Sequence, residues 1–288
     1  MTKPTVGIIG TGVVGSAIGI VLRSKGYQIT GVADQAPEKR NQLADRLGTS
    51  GMLPSEVARQ AEVVFITTSD GAIGQVTREL AHEGCFQSGQ VVIHMSGALA
   101  SEVLESAAEQ GAVCLSVHPL QSFAATEQAI KVLPGSVFSI EGNPAGYPLG
   151  IRLVEDLEGK YFFIDKKAKP LYHAGACVVS NYLVTLVDFG THLLEAAGIP
   201  KETAVTALFP LIEGTLANIR KVGIPQALTG PIARGDLATI QEHITTMEGV
   251  APDLISLYRS LGSQTVEVAE RKGSITGERA QELQKVLR

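Results

Sequence analysis

Three glycines, Gly10, Gly12 and Gly15, follow the apolar run Val6–Ile9 and open an apolar stretch of helical period over residues 13–25, in a G-x-G-x-x-G spacing. Each glycine has its own physical task. Gly10 permits a tight turn, Gly12 lets backbone approach a pyrophosphate, and Gly15 lets the helix lie close on its strand. A diphosphate would sit at the helix N-terminus, where unpaired N–H groups and the macrodipole favour an anion. Its expected contacts are Gly10, Thr11, Gly12, Val13, Val14 and Gly15. A second apolar run ends at Asp34, nineteen residues past Gly15. A carboxylate there accepts hydrogen bonds from an adenosine ribose. It repels a 2′-phosphate, because two like charges ~4 Å apart cost about 4 kcal/mol at an effective dielectric of about 20. The expected cofactor is NAD or NADP, with a lean to NAD.

The same rhythm continues through the first half of the chain. Apolar runs over 6–9, 28–33, 63–67, 91–94, 113–117, 137–140 and 161–164 alternate with amphipathic stretches over 37–47, 73–81, 101–110 and 147–157. Several runs are continuous rather than alternating, as suits strands covered on both faces. Pro37 near a helix start and Gly48 past its end obey the usual capping asymmetry. Alternation of strand and helix predicts an α/β fold with a doubly wound, mostly parallel Rossmann sheet. After Asp165 no strand pattern returns. One long helix is expected over 168–197, ended by Gly198 and Pro200, followed by helices over 201–222, 251–271 and 276–287. The expected division is a dinucleotide-binding domain over 1–166 and an all-α C-terminal domain over 167–288.

Bulk properties exclude several partners. The net charge is −5 and no block of Lys or Arg stands out, which argues against a nucleic-acid or anionic-membrane partner. Cys85, Cys114 and Cys177 form no CxxC pair, so neither a disulfide framework nor a metal site is expected. The opening residues lack a charged segment followed by a cleavable apolar one, and no 18-residue apolar stretch is evident. The reading is a cytoplasmic protein that does not enter the membrane.

In an open parallel sheet, ligands bind at the carboxyl ends of the strands. Thr67 and Thr68 follow the third run, His94, Ser96, Gly97 and Ala98 the fourth, and His118 the fifth. Thr67, Thr68 and Ser96 are expected on the dinucleotide. His94 and His118 are candidate proton donors because imidazole titrates near neutrality, with a plain loop hydrogen bond as the alternative for each. In the helical half, Lys169, His173, Cys177 and Ser180 fall on one helical stripe. A mixed polar stripe of this kind lines a cleft or a wet seam between domains. Around 228–236, Thr229, Gly230 and Arg234 offer a turn and a guanidinium fork that match a substrate carboxylate. A clasp between Arg234 and Asp236 is the structural alternative.

The motifs GIIGTGVVG, HMSGA, SVHPLQSF, YHAGACVVSNY and LTGPIARGD occur in this order. Together they resemble a Rossmann-like oxidoreductase family whose C-terminal domain is classed only as a domain of unknown function. That family is placed in the broad 6-phosphogluconate and β-hydroxyacid dehydrogenase superfamily and resembles the alternative ketopantoate reductase type. The resemblance implies a homodimer through the helical half and an active site between domains. It also implies a Lys and an Asn beside the nicotinamide on the first long helix. Asn181 matches the Asn, but Cys177 stands where the Lys belongs, so Lys169 and His173 become the substitutes. Relatives using NADP often carry Ser-Arg after the second strand, whereas this chain has Asp34-Gln35.

The expected chemistry is hydride transfer from the cofactor to the carbonyl of a small 2-oxo acid, with a carboxylate-bearing substrate. His173 or His118 protonates the alkoxide, Asn181 and Ser180 orient the oxygen, and Arg234 or the Thr229-Gly230 turn holds the carboxylate. An imine reductase similar to pyrroline-5-carboxylate reductase is the rival enzyme. A dinucleotide-binding sensor without turnover is the rival from another class.

Overall fold

The computed structural model describes residues 2–288. Seven strands form one sheet: β1 (Val6–Ile9), β2 (Ile29–Ala33), β3 (Val63–Ile66), β4 (Val91–His94), β5 (Val113–Pro119), β6 (Val137–Gly142) and β7 (Lys160–Phe163). Their spatial order is β2-β1-β3-β4-β5-β6-β7, and every pairing is parallel except β5 with β6. Continuous apolar runs make the central strands β1, β3 and β4, which are buried on both faces, whereas the edge strand β7 is exposed. Along β1, Val6 and Ile8 pack on one side and Ile9 on the other; along β3, Val63 and Phe65 oppose Val64 and Ile66. Each fully buried Val, Ile or Leu contributes roughly 1.5–3 kcal/mol.

Helices α1 (Val13–Ser24), α2 (Pro37–Leu47), α6 (Thr126–Val132) and α7 (Tyr147–Asp156) cover the first face. Helices α3 (Pro54–Gln60), α4 (Asp70–His82) and α5 (Glu105–Ala108) cover the second. The fold is thus the α/β Rossmann type, and the strand order reverses between β1 and β3, next to the glycine loop. The antiparallel step from β5 to β6, which turns β6 and β7 together, is the one departure from a parallel sheet. Helices α3 and α6 have seven residues each, too short for a periodic pattern to declare them.

The expected single helix over 168–197 is two: α8 (Lys169–Val179) and α9 (Asn181–Ala196). They meet at Ser180, whose backbone turns to φ −112° and ψ −71°. No glycine or proline marks the place, so periodicity runs straight through it. The compact units accordingly divide after Ser180 rather than near residue 166. Lys169, whose side chain is wholly buried, ties α8 to the sheet by bonding the Ser96 carbonyl just after β4 and the Ser116 hydroxyl within β5. The stretch Lys166–Ala196 does reach the length and apolar content of a membrane span, with mean hydropathy 1.3, contrary to the sequence reading. It is broken at Ser180, and its Lys169 is buried in protein.

The second unit, taken alone, is all helical: α9, α10 (Lys201–Val222), α11 (Pro231–Arg234), α12 (Leu237–Val250), α13 (Ile255–Lys272) and α14 (Gly277–Leu287). Ile240, Ile244, Val266, Leu283 and Leu287 form its core. Helices α11 and α12 were not foreseen. Asp236 caps α12 by accepting from Thr239 N–H at 3.2 Å and Thr239 hydroxyl at 2.7 Å.

Candidate active site

The glycine loop is built by steric necessity. Gly10 has φ +104°, and a Cβ there would stand 2.6 Å from backbone atoms of Thr67 and Thr68. A Cβ at Gly15 would overlap the Gly10 carbonyl oxygen and Thr67 Oγ1. Gly12 differs: nothing lies within 4 Å of its Cβ position, and no side chain caps α1. The first amides of α1, on Val13, Val14 and Gly15, have no intrahelical acceptor, and the space beside Gly12 is open. This is the geometry an anion needs.

Asp34 closes the loop from behind. Its Oδ2 accepts from Thr11 N–H at 2.7 Å and Thr11 hydroxyl at 2.9 Å, and its Oδ1 accepts from Ala36 N–H at 2.8 Å. Burial alone would raise its pKa, but the bonds from Ala36 and Thr11, with the Lys39 charge, hold the carboxyl below its usual value. Thr11 therefore spends its amide on Asp34 instead of presenting it to a ligand. An ionised carboxylate offers about four lone-pair sites, so Asp34 keeps room for a ribose hydroxyl.

A cavity of about 480 Å³ opens beside this loop, lined by Gly10, Gly12, Asp34, Gln35, Thr67 and Thr68 among others, with Leu53 and Pro54 on a wall that sequence reading missed. Its size is ordinary for a small-molecule site. Thr67 Oγ1 donates to the Gly10 carbonyl at 2.7 Å. Thr68 Oγ1 is buried without a partner among the described residues. A buried hydroxyl left unpaired in a cavity wall is costly unless a ligand or water meets it.

Beyond β3, β4 and β5 lies a polar cluster inside the first unit. Ser96 Oγ donates to Asp70 Oδ2 at 2.7 Å and accepts from the amides of Ala98 and Leu99. Its hydroxyl is fully used, so Ser96 shapes the turn rather than gripping a cofactor through its side chain. His94 has no exposed surface and its Nδ1 accepts from Ser96 N–H at 3.2 Å. Burial first, and the Lys169 charge second, push it down to about 3. It is a neutral structural imidazole. Lys169 Nζ donates to the Ser96 carbonyl at 3.0 Å and to Ser116 Oγ at 2.7 Å, and lies 5.9 Å from the Tyr172 ring centre. Burial lowers its pKa to about 8 although Glu141 and Asp70 pull the other way. With no exposed surface, the Lys169 ammonium is engaged by Ser96 and Ser116.

His118 is the accessible imidazole. Its Nδ1 lies 2.7 Å from Tyr172 Oη, and burial, then the Lys169 and His173 charges, lower its pKa to about 4. His173 packs edge-on to it, with ring centres 6.4 Å apart. The structure therefore gathers His118, Lys169, His173 and Ser96, and adds Asp70, Gly97, Ser116 and Tyr172. The last four sit in or beside the quoted motifs or at post-strand positions. Only the sheet register, which sets His94 opposite Ser116, shows that they meet.

The other expected residues belong to the end of α8 and to the second unit. Ser180 is exposed at the end of α8, and Asn181, exposed, begins the second unit. Gly230, with φ +95°, precedes α11, just after Thr229. Arg234 is exposed and makes no ion pair among the described residues; Asp236 engages Thr239 instead, so the Arg234–Asp236 clasp is not formed.

The sheet order and the glycine loop define a Rossmann-type α/β unit. Residues 1–119 match the family described as a Rossmann-like domain, and residues 136–265 match the family described as a domain of unknown function, DUF2520. Among solved structures the chain is similar to protein TM1727 from Thermotoga maritima, at 26% identity and TM-score 0.75 over 93% of this chain and 99% of that one. It shares its fold with a putative NADP oxidoreductase, BF3122, from Bacteroides fragilis (19% identity, TM-score 0.72, 92% and 98% covered). It also shares it with a pyrroline-5-carboxylate reductase from Coxiella burnetii (14% identity, TM-score 0.61, 98% and 99% covered). No curated protein matches the chain.

Proposed function

We propose that the chain is a nicotinamide-dinucleotide-dependent oxidoreductase that reduces the carbonyl of a small 2-oxo acid, with ketopantoate the first candidate and NAD the favoured cofactor. One observation carries the reading: an open, glycine-built anion cradle at the strand-order reversal, beside a neutral His118–Tyr172 pair two strands beyond β3. The unpaired Thr68 hydroxyl and the free space at Gly12 fit a dinucleotide. Gly10, Gly12, Val13, Val14, Gly15 and Thr68 would hold its phosphates and sugar, and Asp34 its ribose. When bound, the nicotinamide supplies the hydride. His118 would hydrogen-bond the substrate oxygen through Nε2–H as charge grows there, with the Tyr172 hydroxyl on its Nδ1, and the alkoxide would take its proton from water. A neutral imidazole with a pKa near 4 is a hydrogen-bond donor that stays in place as charge grows on oxygen.

The pyrroline-5-carboxylate and imine reductases that share this fold supply a second reading. An imine is reduced as a cation, and the ammonium of Lys169 buried beside His118 opposes a second positive charge there. The carbonyl reading is therefore preferred. Both readings meet one experiment: nicotinamide absorbance followed with NADH and NADPH against ketopantoate, other 2-oxo acids and cyclic imines. The expected result is NADH consumption with a 2-oxo acid, falling about 100-fold in His118→Asn with dinucleotide affinity unchanged. Tight dinucleotide binding without turnover on any substrate would make the protein a sensor.

The same reading includes a homodimer. Val184, Leu186, Phe209, Leu211 and Leu216 on α9 and α10 are 46–71% exposed. Apolar residues gathered this way are covered by another surface in solution, and a second copy supplies a self-complementary one. Sedimentation equilibrium should give twice the chain mass, and Leu211→Glu should halve it. A wild-type monomer at micromolar concentration would remove the dimer from the reading.

A further inference from the structure

The loop after β4 has no side chain at the place where two imidazoles rest on it. Gly97 is buried, and a Cβ on it would stand 2.7 Å from His118 Nε2, 2.8 Å from His118 Cε1 and 2.8 Å from His173 Nδ1. All three separations are too short for a real Cβ, so the rings fill the room that any other residue would need. The backbone does not demand the glycine, because Gly97 lies outside the left-handed region. Its neighbours demand it.

The rings cannot regain that room by moving as a body. His118 stands on β5, between β4 and β6, and its Nδ1 is 2.7 Å from Tyr172 Oη. His173 follows Tyr172 on α8, and Lys169 pins α8 to the same loop by donating to the Ser96 carbonyl at 3.0 Å, one residue before Gly97. Ser96 in turn donates to Asp70 and accepts from the amides of Ala98 and Leu99. Floor and rings belong to one hydrogen-bonded frame. An added methyl group meets only the far ends of two side chains, so its strain is relieved by rotating the imidazoles and leaves the backbone in place.

We propose that Gly97 is a positioning residue: the absence of its Cβ seats His118 and His173 against the loop after β4, and that seat fixes where His118 stands for the reduction. The last clause rests on the reductase reading; the seat does not. Gly97 acts only through His118. Tyr172, His173 and Lys169 from α8 and His94 from β4 face this ring, while Asp70 and Glu141 act on Lys169. Burial is the largest influence holding His118 at about 4. A ring turned out of the seat therefore titrates toward the ordinary value of about 6.5. A reacting group misplaced by about 1 Å costs turnover on the order of 100-fold.

The test is NMR of the histidine rings in the full-length protein, wild type, Gly97→Ala and Tyr172→Phe, with turnover and dinucleotide affinity measured on the same samples. Wild type should show a nuclear Overhauser contact between the His118 Hε1 and Gly97 Hα protons, and a His118 still neutral at about pH 5.5. In Gly97→Ala the ring should be largely protonated at that pH and kcat lowered about 10- to 100-fold, with dinucleotide affinity and melting temperature near those of wild type. Tyr172→Phe removes the bond but keeps the seat, and should leave His118 neutral. A missing Overhauser contact in wild type, or a Gly97→Ala ring as neutral as the wild-type one, overturns the proposal. So does a Tyr172→Phe ring protonated as in Gly97→Ala, because the bond and not the seat then holds it. Should Gly97→Ala fail to fold, the wild-type contact and the Tyr172→Phe titration decide between seat and bond. A displaced His118 with undiminished kcat overturns the positioning role. If the ring responds as expected but wild type reduces no 2-oxo acid and no imine, the seat is upheld and the reductase reading alone falls.

Discussion

Acidification from pH 6 to pH 5 should cost the folded protein between about 1.2 and 2.4 kcal/mol. Two imidazoles set this range. Burial and the Lys169 charge depress His94 to about 3 and His118 to about 4, whereas both take up protons near 6.5 in an unfolded chain. Below that value the unfolded state binds more protons than the native state, so stability falls as pH falls. His94, with no exposed surface, contributes about 1.2 kcal/mol over this unit, short of the limiting slope of about 1.4 kcal/mol because the unfolded ring is not fully protonated at pH 6. His118 is partly exposed and adds a solvent-screened share. The loss continues until pH passes about 4 for His118 and about 3 for His94, and is a large part of a total stability of about 5–15 kcal/mol. Urea unfolding at pH 7, 6, 5.5 and 5 measures it. His94→Gln should remove roughly half or more of the slope; a wild-type midpoint that does not move from pH 6 to 5 would refute the burial of both rings.

Gly15→Val should be the most damaging single substitution in the cofactor cradle. Its Cβ would run into the Gly10 carbonyl oxygen and Thr67 Oγ1, and the first of these is backbone that cannot rotate away. Overpacking of this kind costs about 1–3 kcal/mol or more, and the only relief is to lift α1 from β1. That motion carries the amides of Val13, Val14 and Gly15 off the diphosphate position. The expected outcome is a lowered melting temperature together with dinucleotide affinity reduced by two orders of magnitude, about 3 kcal/mol. Gly12→Ala is the control that separates the two effects. With nothing within 4 Å, its methyl group leaves the melting temperature unchanged and obstructs only a ligand. Calorimetric titration alongside thermal unfolding distinguishes them. A Gly12→Ala protein that binds dinucleotide as the wild type does would remove the diphosphate from this loop.

Much of the α/β unit is legible locally. β1, β3 and β4 announce themselves as short apolar runs, and the glycine spacing reports a turn that Gly10 makes with φ +104°. Helices α2 and α10 begin and end where the sequence places them, because Pro37 opens and Gly48 closes the first, and Gly223 follows the second. What is not legible is the identity of the partner. Asp34 reads as a ribose ligand, yet its oxygens already hold Thr11 and Ala36. Lys169 reads as an accessible acid on a helical stripe, yet its ammonium is sealed against Ser96 and Ser116. Ser96 reads as a cofactor contact and is a turn builder.

Residue type and spacing along the chain determined most of the strands and several of the longer helices, and where the glycine turn after β1 must lie, because those depend on neighbours a few positions away. The tertiary structure alone decided that β6 and β7 run backwards, that α8 ends at Ser180, and that the Lys169 ammonium is sealed against Ser96 and Ser116. These depend on packing between residues distant in sequence, where a hydrogen bond or a missing Cβ selects among side-chain arrangements that local pattern leaves equal.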